Sequence, residues 1–115
     1  MLRYILLSKL HRATVTECDL HYNGSIKIDA DLLDAAGMHE FERVEIWDVN
    51  NGSRFSTYII PAERGSRTIS INGAAARMVH QGDLIIVVNY GLMDEAEMLA
   101  HKPKIIVLDE NNRPV

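Results

Sequence analysis

The pattern over residues 44–60 constrains the fold more than any other part of the chain. Polar and apolar side chains alternate over residues 44–49, as expected for a strand with one buried face, and alternation resumes over residues 54–60. Asn51-Gly52 lies between the two runs, and this dipeptide between alternating segments is the strongest short-range signal for a β-hairpin. We therefore predict a hairpin here, with Arg54, Ser56 and Tyr58 on one face of its second strand and Thr57 on the other.

Short strand-like runs recur through the rest of the sequence. They lie at residues 2–7, 13–16, 25–29, 68–71, 84–88 and 104–108. Short helices are predicted at residues 31–36, 73–78 and 94–99, with Gly37 in a position typical of a C-cap and Asp94 placed to cap the amide of Glu97. Short strands separated by turn signals favour a mainly β fold, a small barrel, as a single domain over residues 1–115.

Composition argues against several classes of protein. The formal net charge of −4 disfavours a nucleic-acid partner, because phosphate binding needs a basic face. The one cysteine, Cys18, cannot form an internal disulfide, no apolar run reaches membrane-spanning length, and the N-terminus lacks a signal-peptide cleavage site. The five histidines show no metal-ligand spacing. We therefore expect a cytoplasmic protein with no metal, membrane or nucleic-acid partner.

Residues 22–25, Tyr-Asn-Gly-Ser, carry a second Asn-Gly signal, which we interpret as the tight turn of another hairpin. In this position the Ser25 hydroxyl can attack the Gly24 carbonyl and exchange the amide for an ester, since glycine has no Cβ to crowd the attack. β-Elimination followed by hydrolysis would then leave a pyruvoyl group at position 25. Taken alone, the tetrad is explained more simply by an ordinary turn, because short motifs often occur by chance.

Three other segments offer groups that could act on a small acidic substrate. Arg54 and Tyr58 share a strand face, residues 72–76 (Asn-Gly-Ala-Ala-Ala) expose backbone amides where a strand meets a helix, and residues 8–13 place cations near the end of the first strand. Each segment taken alone has an ordinary structural explanation.

Together, these segments resemble the pyruvoyl-dependent aspartate 1-decarboxylases. The resemblance runs from residue 9 to about residue 103. The matching motifs, in family order, are Lys-Leu-His-Arg-Ala at 9–13, Tyr-Asn-Gly-Ser at 22–25, Asn-Gly-Ser-Arg-Phe-Ser-Thr-Tyr at 51–58, Glu-Arg-Gly-Ser-Arg at 63–67, Asn-Gly-Ala-Ala-Ala at 72–76 and Gly-Asp at 82–83.

This resemblance implies a double-psi β-barrel that assembles as a homotetramer with active sites between subunits. It implies cleavage between Gly24 and Ser25, giving a β chain of residues 1–24 and an α chain of residues 25–115 that begins with the pyruvoyl cofactor. The implied reaction converts L-aspartate to β-alanine and CO2 through a Schiff base with that group, for pantothenate and coenzyme A biosynthesis. The family includes members that mature alone and members that need a helper protein, so the sequence leaves both open.

The resemblance also assigns roles position by position. Ser25 is the pyruvoyl precursor and Tyr58 the proton donor, while Thr57 is implicated in substrate binding and in stabilising the oxyanion of self-cleavage. The remaining implied substrate-site residues are Lys9 and Arg54 for the carboxylate, Asn72 for positioning, and the backbone of Gly73, Ala74 and Ala75.

Two alternatives stay open at this point. The chain could be a non-enzymatic β-barrel module in which Arg54 and Lys9 recognise an acidic peptide or ligand. It could also be an enzyme of the same type that acts on another amino acid.

Overall fold

Eight β-strands dominate the computed structural model, which describes residues 1–115. In chain order they are β1 (Arg3–Thr14), β2 (Glu17–Asp19), β3 (Ser25–Asp29), β4 (Arg43–Asp48), β5 (Arg54–Ala62), β6 (Ile69–Asn72), β7 (Leu84–Met93) and β8 (Lys104–Val107). They form one mixed sheet in the order β2-β6-β3-β5-β4-β7-β1-β8. The prediction of a mainly β fold is confirmed.

The helices are short and lie close to their predicted positions. They are α1 (Ala30–Ala36), a 3₁₀ helix (Gly73–Arg77) and α2 (Glu95–Ala100). Gly37 ends α1 with a φ of 71°, and the Asp94 side chain accepts the Glu97 amide hydrogen at the start of α2, so both predicted caps are confirmed. At seven residues, α1 is far too short to span a bilayer, and no helix of the protein is long and apolar enough to do so.

The predicted hairpin over residues 44–60 is confirmed as β4 and β5. The strands are antiparallel, with Trp47 opposite Arg54 and Arg43 opposite Tyr58. Their connection, residues 49–53, is longer than the tightest Asn-Gly turn, because such a turn needs positive φ at both central residues and only Gly52 has it. Burial alternates along β5 as predicted, with Arg54 and Tyr58 exposed and Thr57 half-buried between them.

The predicted hairpin turn at residues 22–25 is wrong. Strands β2 and β3 do not pair with each other; they flank β6, β2 parallel to it and β3 antiparallel. Residues 20–24 therefore carry the chain across β6, and Gly24 does not adopt a positive φ. The Asn-Gly signal reports a local preference, whereas the pairing of β3 is decided by burial. Ile26 lies opposite Ile71 on β6 and opposite Ile59 on β5, and all three side chains are fully buried.

The first strand also differs from its prediction. The runs at residues 2–7 and 13–16 are joined in the long strand β1, so that Lys9 lies in the middle of the strand and not near its end. Two register shifts against β7 interrupt β1, and Arg12 within the second has a φ of 65°. Such bulges let a strand continue through a segment whose polar pattern predicts a break.

The buried Asp48 carboxyl closes the end of the β4–β5 hairpin beside the half-buried Asp83. Asp48 is 3% exposed; its Oδ1 accepts the amide hydrogens of Asn50 and Asn51, and its Oδ2 has no hydrogen-bond partner. Burial, and then the neighbouring Asp83 carboxyl, raises the pKa of Asp48, while Asp48 lowers the pKa of Asp83. Asp48 therefore keeps its proton to a higher pH than Asp83 does.

We expect Asp48→Asn to stabilise the protein above neutral pH. Below its ordinary pKa of 3.8, Asp48 makes its full contribution to stability, and this contribution is lost as the pH rises through the raised pKa that Asp48 has in the folded protein. The lowered pKa of Asp83 acts in the opposite direction and offsets part of this loss. An amide keeps the Oδ1 acceptor and offers Asp83 a donor that cannot be lost. The expected gain is about 4 °C in Tm at pH 8, shrinking toward pH 4, by thermal unfolding.

Glu110→Gln is the control, because it removes the same charge at an exposed position. An Asp48→Asn gain that did not vary with pH would contradict a raised pKa for Asp48.

Candidate active site

Ser25 is a buried hydroxyl held by an amide. It begins β3 opposite Asn72 of β6, and both residues are 2% exposed. Asn72 Nδ2 donates a hydrogen bond to Ser25 Oγ at 3.3 Å, and Asn72 Oδ1 in turn accepts one from Ser70 Oγ at 2.9 Å. With its oxygen occupied by Ser70, the Asn72 amide presents its N–H to the serine oxygen. Negative charge that develops on that oxygen is stabilised there.

The peptide bond before Ser25 packs against the backbone of Gly73. Gly73 has a φ of 74°, and a Cβ at this position would lie 2.6 Å from Gly24 Cα and 2.8 Å from Gly24 N. A Cβ added at Gly24 itself would meet nothing within 4 Å. Packing between different parts of the chain therefore requires a glycine at residue 73, while the predicted role of Gly24 in the attack by its neighbour Ser25 stays a prediction.

Tyr58 and Thr57 lie on the strand next to Ser25. Strands β3 and β5 are parallel with Ile26 opposite Ile59, so Ser25 and Tyr58 each come one residue before this pair, and Thr57 precedes Tyr58. The Tyr58 ring is 40% exposed and contacts only one other aromatic ring, Phe41, at 6.4 Å. Its hydroxyl makes no hydrogen bond within the chain and is free to act on another molecule.

Lys9 and Arg54 converge on one aromatic ring. Arg54 Cζ lies 4.5 Å from the centroid of Trp47, and Lys9 Nζ lies 5.9 Å from it. Neither cation has a carboxylate partner, since both ion pairs of the chain belong to Arg64. These two residues, with Trp47, form the cationic cluster, which is able to accept a carboxylate.

Comparison with known proteins identifies the family. The family model described as aspartate decarboxylase matches residues 1–115. The chain belongs to this family. It is 61% identical over 113 residues to the aspartate 1-decarboxylase of Bordetella avium, covering 98% of this chain and 93% of that protein. The same-named proteins of Methylibium petroleiphilum and Ralstonia pickettii are 60% and 58% identical over 113 residues, each covering 98% of this chain and 94% of the relative. The resemblance drawn from the motifs is confirmed.

Within this family member, the predicted site residues fall into two groups in a single chain. The first group contains Ser25 with Asn72 and Gly24 with Gly73, which are in contact. The neighbouring strand β5 adds Thr57 and Tyr58. No hydrogen bond, ion pair or cation–π contact joins these residues to the cationic cluster. Arg54 stands four residues before Tyr58, about 13 Å along the strand. Ala74 is exposed and Ala75 half-buried in the 3₁₀ helix that Gly73 begins.

Three surface cavities lie away from the predicted site residues. Their volumes are about 480, 400 and 330 Å³, and none of the three is lined by Ser25, Tyr58 or Arg54. No group of three or more His, Cys, Asp and Glu side chains is placed to share a metal ion.

Sequence reasoning missed two residues of this site, Ser70 and Trp47. Ser70 precedes Asn72 by two positions in β6, so a period of two places both on one face. Trp47 stands opposite Arg54 in the hairpin that the sequence did predict. Both residues lie within predicted strands, and they could have been found by asking which side chains stand beside Asn72 and Arg54.

We expect Gly73→Ala to slow breakage of the Gly24-Ser25 bond by at least tenfold. The added Cβ would lie 2.6 Å from Gly24 Cα, so the Gly24 backbone must shift relative to Ser25 Oγ, and a misplacement of about 1 Å can cost about a hundredfold in rate. The measurement is the rate at which fragments appear on a denaturing gel.

Gly52→Ala is the matched control, because Gly52 has a φ of 77° with nothing within 4 Å of its added Cβ. Equal slowing in both variants would show that the contact with Gly24 is unimportant.

Proposed function

We propose that this chain is an aspartate 1-decarboxylase that converts L-aspartate to β-alanine and CO2 with a pyruvoyl group formed from Ser25, for pantothenate and coenzyme A biosynthesis. The observation that carries the proposal is the buried Ser25 hydroxyl with the Asn72 amide on its oxygen, beside a peptide bond packed on Gly73. Full-length similarity to proteins named aspartate 1-decarboxylase supports it.

Self-cleavage uses only atoms of the chain and one water. Ser25 Oγ attacks the Gly24 carbonyl carbon, the Ser25 nitrogen leaves as an amine, and an ester replaces the amide. Loss of the Cα proton of residue 25 then breaks the Cβ–Oγ bond, and Gly24 departs as a carboxylate. Water adds to the remaining dehydroalanine, ammonia leaves, and a pyruvoyl group is formed. In this proposal the Asn72 N–H, which donates to Ser25 Oγ, and the Thr57 hydroxyl on the neighbouring strand stabilise the charge that develops on oxygen.

The surroundings of residue 25 fit a pyruvoyl group. The position is buried, Asn72 presents an N–H there, and the absence of a side chain at Gly73 keeps space open beside it. When present, the group supplies the electron sink for loss of the α-carboxylate. Every other task falls to side chains of the protein.

Proton donation and carboxylate binding are divided among Tyr58, Arg54 and Lys9. The Tyr58 hydroxyl, free of other hydrogen bonds, protonates the substrate α-carbon after CO2 leaves. The planar Arg54 guanidinium can hold both oxygens of a carboxylate, and Lys9 adds a second positive charge beside it. Two unpaired cations favour a substrate with a side-chain carboxylate over a neutral amino acid.

We also propose a cytoplasmic homotetramer with its active sites between subunits. In support, no hydrogen bond, ion pair or cation–π contact within one chain joins the cationic cluster to Ser25. A neighbouring copy would then bring its cluster to the Ser25 of the first. A maturation helper protein is compatible with this arrangement and is not required by it.

Intact mass and denaturing electrophoresis of purified protein test the proposal. The expected result is two fragments, residues 1–24 and 25–115, the larger without a free N-terminal amine, in a preparation that consumes aspartate faster than glutamate. A single uncut chain that does not act on aspartate would favour the non-enzymatic module. Preference for glutamate would favour the same chemistry on another amino acid.

A further inference from the structure

We propose that Trp47 is a positioning residue that holds both Lys9 and Arg54 close to its ring and so builds the subsite for a substrate carboxylate. This inference rests on the proposed function, because it concerns how that enzyme would recognise a dicarboxylic amino acid. None of the roles given to residues above includes Trp47.

The strand order places Trp47 between the two cations. Arg54 lies directly opposite Trp47 on the neighbouring strand β5, and its Cζ is 4.5 Å from the ring centroid. Lys9 comes from β1, which β7 separates from β4, and reaches back so that its Nζ is 5.9 Å from the same centroid. Both distances are within the range of about 6 Å in which a ring face attracts a cation.

The charges around the ring explain why an aromatic residue is needed. Two like charges gathered at one place repel each other, and no carboxylate within the chain neutralises either of them. Glu45 lies two residues before Trp47 on the same strand, yet it forms no ion pair with Lys9 or Arg54. The negative face of the indole offsets part of the repulsion without occupying the place of an anion.

A flat ring also restricts the direction of the guanidinium. Arginine stacks on aromatic faces, and this stacking limits its rotation while its N–H groups stay available. An aliphatic residue would fill similar space but would offer neither a flat surface nor a ring quadrupole. Trp47 therefore prepares the subsite before substrate arrives, which reduces the ordering cost of binding.

The test is the Trp47→Leu variant of the mature enzyme, with KM and kcat measured for aspartate. We expect KM to rise by about tenfold while kcat changes by less than twofold, because the ring takes no part in proton transfer. The yield of self-cleavage should equal that of the wild type. Succinate, a dicarboxylate that cannot react, should bind about tenfold more weakly by calorimetry, which reports on the subsite without turnover.

Two further variants separate positioning from general damage. Trp47→Phe keeps a ring and should recover most of the loss, and it also serves if Trp47→Leu does not fold. In a Lys9→Met background, Trp47→Leu should raise the KM for aspartate by a smaller factor than in the wild type, because one of the two cations that Trp47 holds is absent.

Three outcomes would overturn the inference: wild-type KM and succinate affinity in Trp47→Leu, a fall in kcat at constant KM, or no recovery in Trp47→Phe. Failure of the proposed function looks different. There the wild-type protein itself would remain uncut or would not consume aspartate.

Discussion

We expect the Ser25→Ala variant to remain a single uncut chain and to decarboxylate no aspartate. Alanine has no Oγ, so the ester that precedes chain breakage cannot form, and position 25 can never become a ketone. The effect is complete loss of both fragments and turnover, whereas loss of a supporting group would only slow them. Intact mass and CO2 release from labelled aspartate measure the two losses on the same sample.

Ser53→Ala is the matched control, since Ser53 ends the other Asn-Gly-Ser triplet of the chain. It lies in the β4–β5 connection, its hydroxyl makes no hydrogen bond to Ser25 or Asn72, and the variant should cleave and turn over like the wild type. Aspartate decarboxylation by the Ser25→Ala variant would refute the proposed chemistry outright.

Tyr58→Phe is expected to cleave normally and to decarboxylate poorly. The change removes only the hydroxyl, and the ring remains to pack against Phe41. General acid catalysis by a positioned side chain contributes about 10²- to 10⁴-fold, so kcat should fall by that factor. KM should change little, because Arg54 and Lys9 bind the carboxylate. Steady-state kinetics on fully cleaved protein give both constants.

Tyr90→Phe provides the comparison, because Tyr90 on β7 is exposed to nearly the same extent, 39% against 40%. Normal turnover in Tyr58→Phe would remove Tyr58 from the proton-donor role. A block in cleavage would instead assign it to maturation.

The β4–β5 hairpin shows what local pattern is able to predict. Alternation on each side of Asn51-Gly52 specifies both strands and the face that carries Arg54 and Tyr58, because strand periodicity and turn preference are properties of neighbouring residues. The caps at Gly37 and Asp94 were predictable for the same reason: each is satisfied within a few residues of itself.

The segment before Ser25 shows where that reasoning fails. An Asn-Gly dipeptide predicted a hairpin, yet β3 pairs with β6 and β5, which lie far along the chain. The partner was decided by the burial of Ile26 against isoleucines of two other strands, and no local preference records such a choice. The steric requirement at Gly73 was hidden for the same reason, since it depends on Gly24 lying against it.

The sequence by itself determined the strand-rich class, the caps and the family, because each is carried by residue types and short spacings. It also supplied the prediction that the Gly24-Ser25 bond is the reactive one. Only the tertiary structure decided that Asn72 donates to Ser25, that Ser70 orients Asn72, and that Trp47 gathers Lys9 and Arg54. Such contacts join residues from different strands. Their geometry is set by which apolar faces pack together, and that is a property of the whole chain.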